Sequence, residues 1–131
     1  MINLELAQKL KSAGLVWEPK KFDLYNAEFA NGSSGIFSVW HDGQVLESMT
    51  GTKFIWLPSL SQLLAEIEKG YSWETGLTVT KGGPMMPGER KSGYWAEIFK
   101  NNKSVYSVEA DTPEDAAASA LLWILERDKD G

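Results

Sequence analysis

Two dipeptides, Asp42-Gly43 and Asn101-Asn102, constrain this chain more than any other feature. Each joins two runs in which apolar residues alternate with polar ones, the mark of a half-buried strand. A two-residue connection imposes antiparallel pairing. Asp42-Gly43 suits the type I′ turn, which needs positive φ at both central positions. Residues 36–41 and 44–49 form one predicted hairpin, with Val39 opposite Leu46 and Trp40 opposite Val45. Residues 94–100 and 103–109 form the other, with Ile98 opposite Val105 and Trp95 opposite Val108. Both faces of this second hairpin carry apolar residues, so its sheet is expected to be partly covered on each side. Further strands are expected at 22–29, 53–57 and 71–80.

Three segments change to the helical period. Residues 4–13 place Leu6, Leu10 and Ala13 on one stripe, with Asn3 as N-cap and Glu5 in the first turn. Gly14 followed by Leu15 spells a Schellman ending. Ser59 and Gln62 form a capping box before Leu60, Leu63, Leu64 and Ile67, and Gly70 closes that helix. Thr112 caps a third helix, with Pro113 at its first position and Glu114 and Asp115 in its first turn. The run of alanines that follows lets this helix approach a sheet closely.

The expected order is α-β-β-β-β-α-β-β-β-α. Strand clusters joined by hairpins place the chain in the α+β class with a mainly antiparallel sheet, not a parallel doubly wound one. Its 131 residues suit a single domain, with 1–58 and 59–131 as possible sub-units. Each half holds about three strands followed by a helix, a pattern that does not extend to residue-by-residue duplication.

Composition removes most familiar chemistry. There is no cysteine, so disulfides, thiolate metal sites and a cysteine nucleophile are excluded. A single histidine, His41, leaves no multi-histidine metal site. It stands beside Asp42 at a hairpin turn, and its expected role is that of a solvated turn residue, since no motif places a nucleophile next to it. No cofactor or metal is expected. The net charge of −5 is the wrong balance for a phosphate-backbone binder. No apolar run approaches the length of a membrane span, and the N-terminal residues lack the architecture of a signal peptide, so a cytoplasmic protein is expected. Neither glycine-rich segment, at 31–35 or 81–84, has phosphate-loop spacing. Glu109, Asp111, Glu114 and Asp115 cluster, but helix capping accounts for them. The six tryptophans are spread roughly one per element, which favours core packing over a stacking platform.

One segment stands apart. Residues 81–93 carry no periodic pattern, hold Lys81, Arg90 and Lys91 in an otherwise acidic chain, and present Met85 and Met86 with no core address. Methionines in a long connection can repack against varied partners, which makes these five residues the expected contact set.

Leu4-Glu5-Leu6-Ala7-Gln8-Lys9-Leu10, Trp56-Leu57-Pro58-Ser59-Leu60 and Asp111-Thr112-Pro113-Glu114-Asp115-Ala116 together resemble small uncharacterised proteins encoded by phages and prophages of Gram-positive bacteria. That resemblance implies no catalytic residues. In the C-terminal half, Tyr94-Trp95-Ala96-Glu97-Ile98, the Asn101-Asn102 turn and the Asp111–Ala116 stretch resemble the β-β-α part of HicB-type antitoxins. With the second helix included, the order is similar to double-stranded-RNA-binding domains. The sequence departs from the latter between 109 and 126, where five acidic residues and no basic one would repel phosphate.

The function expected from these readings is a non-enzymatic, protein-binding module of phage or prophage type, with 81–93 as contact surface. An exposed sheet edge is a second mode and a route to a homodimer. The alternatives are a HicB-like or nucleic-acid-linked regulator and, last, an enzyme using carboxylates near His41.

Overall fold

The computed structural model describes residues 1–39, 53–79 and 92–130. Trp40, His41, the Asp42-Gly43 hairpin and its pairings, and the contact residues Lys81, Met85, Met86, Arg90 and Lys91 lie outside the described residues. The elements are α1 (Leu4–Ser12), β1 (Leu24–Glu28), β2 (Ser34–Ser38), β3 (Lys53–Leu57), α2 (Leu60–Ile67), β4 (Ser72–Val79), β5 (Ser92–Lys100), β6 (Lys103–Ala110) and α3 (Pro113–Asp130). This is the α+β class. The strands form two three-stranded antiparallel sheets, β2-β1-β3 and β4-β5-β6.

The helix ends follow the local sequence. The Asn3 side chain accepts from the N–H of Glu5 and of Leu6. Gly14, at φ 106°, donates to Lys11 O, and Leu15 N–H reaches back to Leu10 O, the two bonds of a Schellman ending. In the α2 capping box, Gln62 N–H donates to Ser59 Oγ while Ser59 N–H donates to Gln62 Oε1. Asp115 N–H donates to Thr112 Oγ1 at the start of α3. Asn3 N–H donates to Asp115 Oδ1 at 2.7 Å, which ties the starts of α1 and α3 together.

The main core lies where α3 crosses β5 and β6 and packs against α1 and α2. Ala116, Ala117, Ala118 and Ala120 are all buried, because four alanines let the helix be approached from several sides at once. Leu121 and Ile124 continue the buried stripe opposite Leu10, Leu63, Ile67 and Ile98. A smaller cluster forms on the other face of the first sheet. There Tyr25 and Ala27 join Val39 and pack with Trp17, Phe29, Phe37 and Phe54.

None of the five described tryptophans is fully buried. Trp73 and Trp123 flank the main core and Trp17 flanks the small cluster, while Trp56 and Trp95 belong to neither. The core itself is aliphatic and alanine-rich.

One expected register is corrected. Asn101 and Asn102 have φ of 55° and 63°, as the tight turn requires, and Lys100 pairs with Lys103 and Phe99 with Ser104. Beyond that point the register shifts, so that Ile98 faces Tyr106 instead of Val105, and Trp95 faces Glu109 instead of Val108. Val105 is the extra residue of a β-bulge. Its position is marked by the adjacent apolar pair Val105-Tyr106, which breaks the alternation. With the bulge, Tyr106, Val108 and Ala110 all pack towards the core.

Candidate functional site

Ala96 and Ile98, 1% and 0% exposed, fix the core-facing side of β5. Successive side chains in a strand alternate, so Trp95, Glu97 and Phe99 point to the opposite side. Their partners across the sheet share that side. One rung is Gly76–Trp95–Glu109, the next is Glu74–Glu97–Ser107, and the third is Ser72–Phe99–Ser104. Trp95, Glu97 and Phe99 are half-buried; Glu74, Ser107 and Glu109 are exposed.

Trp95 is held by a missing side chain. A Cβ on Gly76 would stand 2.7 Å from Cε2, Cζ2 and Nε1 of the Trp95 indole. The ring therefore lies flat against the neighbouring strand, over the one residue that leaves room for it. Glu74 and Glu97 stand directly opposite each other, a like-charge pair that costs a sheet roughly 0.2–1 kcal/mol. Glu109 flanks the indole from the other strand. No Lys or Arg occupies any of these outward positions among the described residues. The surface thus combines two large aromatic rings with three carboxylates.

The molecule shows elsewhere how such a ring meets a cation. The Arg127 guanidinium sits 5.0 Å from the Trp123 ring centroid, and Trp123 stacks on Tyr106 at 4.9 Å and 8°. A guanidinium over an indole is attracted by the ring quadrupole and keeps its edge free for carboxylates.

The contact residues expected from sequence are not among the described ones, but the chain leaves the second sheet at Val79 and re-enters it at Ser92, which pair with each other. That rung is at the same end of the sheet as Trp95 and Gly76. Sequence reading placed Val108 beside Trp95 and so missed Glu109. Glu74 and Glu97 carry no distinguishing signal in the sequence, because their opposition depends on the β4–β5 register. Among the described residues there is no group of three or more His, Cys, Asp or Glu able to hold a metal ion, and no helix long and apolar enough to cross a membrane. In comparisons with known proteins, no family model, curated protein or solved structure matches this chain.

Proposed function

We propose that this chain is a non-enzymatic protein-binding module that receives a basic, extended polypeptide segment on the outer face of its second sheet. The observation that carries this reading is the set Trp95, Phe99, Glu74, Glu97 and Glu109 on one face with no cation among them. An arginine laid over Trp95 would reach Glu97 or Glu109, and one over the Glu74–Glu97 rung would remove its repulsion. A second copy of the chain is a poor occupant, since the net charge of −5 sets acidic surfaces against each other. A nucleic acid is a poorer one for the same reason. Lys81, Met85, Met86, Arg90 and Lys91 are kept in this reading as a second contact, with a part of the partner outside its basic segment, since their three cations would repel that segment. A cytoplasmic setting and a phage or prophage origin accord with the resemblance carried by the helix caps.

The test is a titration of isotope-labelled protein with a short peptide alternating arginine with valine. The expected result is saturable shifts at the Trp95 indole and the Gly76 amide that weaken as salt is raised and vanish in Glu97→Lys. Equal binding of a peptide carrying glutamate for arginine, or indifference to Glu97→Lys, would sink the proposal.

A further inference from the structure

Among the described residues the two sheets end in four edge strands, β2 and β3 on the first and β4 and β6 on the second. An edge strand offers alternate backbone N–H and C=O groups to any extended chain. Folded proteins blunt such edges with short length, bulges, proline, lysine or a covering element. Three of the four are blunted. β2 has only five residues. β3 packs against α1, whose Lys11 Nζ donates to the Phe54 carbonyl at 2.6 Å. β6 begins with Lys103 and carries the bulge at Val105.

β4 has none of these devices. Its eight residues pair with β5 without a break, from Ser72–Phe99 to Val79–Ser92, and include no proline, lysine or arginine. Among the described residues, no second strand and no backbone hydrogen bond outside the β5 ladder occupies it.

The groups beside this edge are selective. Glu74 and Gly76 are outward positions two residues apart, so one face of an added strand would lie beside both. Glu74 is exposed and stands opposite Glu97. The Trp95 indole lies over Gly76, where a Cβ would come within 2.7 Å of it, so the ring reaches from β5 onto the last strand of the sheet. On the core side of the same edge, Trp73 and Thr75 are half-buried. Trp73 is fixed there by its Nε1, which donates to Glu68 Oε1 at 2.7 Å.

We propose that the basic segment binds by strand addition along β4, extending the three-stranded sheet by one strand. The inference rests on the outer-face reading above and gives it a backbone geometry. The matching sequence is arginine–apolar–arginine. One arginine lies opposite Glu74, the other lies opposite Gly76 with its guanidinium over Trp95, and the apolar residue between them packs beside Thr75 on the core side. Glu74 and Glu97 disfavour an acidic strand at the same place, so the open edge does not recruit a second copy of a chain whose net charge is −5.

The test uses the arginine–valine peptide and two further forms of it, one N-methylated at every arginine and the other at every valine. A strand bonds its neighbour through alternate residues only, so one form is expected to lose at least about tenfold in affinity while the other stays within about twofold of the parent. In hydrogen exchange with the parent peptide bound, alternate β4 amides, those turned away from β5, are expected to slow by at least about tenfold. Strand addition is overturned if the parent peptide binds and moves the Trp95 indole while the two methylated forms bind equally, or while the β4 amides exchange as in the free protein. The outer-face reading survives that result. Absence of any peptide binding overturns both. A free protein of dimer mass, with those β4 amides already slow, would give the edge to a second copy and overturn the proposal as well.

Discussion

The two sheets place similar aromatic residues in opposite surroundings. On the first sheet, Tyr25 sits among Trp17, Phe37 and Phe54 at centroid distances of 5.5–5.9 Å, and its exposure is 3%. Each ring there is satisfied by another ring. On the outer face of the second, Trp95 has a glycine beneath it and glutamates along its sides, and it remains half-buried. Aromatic content alone therefore says little about role. The neighbours decide it: rings that meet rings close a core, whereas rings that meet carboxylates present a surface that a cation would complete.

That contrast can be broken by substitution. Tyr25→Ala removes a buried ring from a cluster with little capacity to collapse, and should cost about 3–5 kcal/mol in denaturant unfolding. A loss below about 1 kcal/mol would mean that the first sheet's aromatic face is not a packed core. Gly76→Ala sets a methyl group against the Trp95 indole and should cost about 1–3 kcal/mol. The same change made in a Trp95→Ala background should be close to neutral, so the double-mutant cycle isolates the contact. Trp95→Ala alone should cost about 1–3 kcal/mol, below Tyr25→Ala, because the ring is only partly buried in the native state. If the two were equally costly, the distinction between the faces would fail. The smallest effect has the opposite sign. Glu97→Gln relieves the Glu74–Glu97 opposition and should raise stability by about 0.2–0.5 kcal/mol. That gain should shrink as salt is added, and a stability curve measured at two ionic strengths would show it. A stabilising substitution at a surface position is what a site kept for binding predicts.

Much of the architecture was legible in residues a few positions apart. Asn3, Ser59 with Gln62, Thr112 with Pro113, and Gly14 with Leu15 each cap the helix they announce. Asn101-Asn102 makes the turn it announces. The fold class follows, since hairpins and caps leave few ways to arrange the chain. The candidate surface was legible only in part. Val105-Tyr106 carried a sign of the bulge, but nothing local says which strand absorbs the extra residue, and that one-residue slip exchanges Val108 for Glu109 beside Trp95. The tryptophans read as core filling because each falls within or beside an apolar element. In the folded chain the alanines of α3 take the tightest positions, and the indoles border the core instead.

What the sequence determined by itself is whatever depends on backbone preferences within one turn or one cap: element types, their order and the antiparallel class. The energies that settle those choices involve neighbours three or four residues apart, so they are already present in the linear chain. Only the tertiary structure decided which residues share a surface. Gly76 meets Trp95 across 19 positions and Asp23 meets Gln62 across 39, and each pairing depends on strand register and helix placement being satisfied together. The carboxylates around Trp95 are a product of that long-range packing, because the β4–β5 and β5–β6 registers together set them beside the ring.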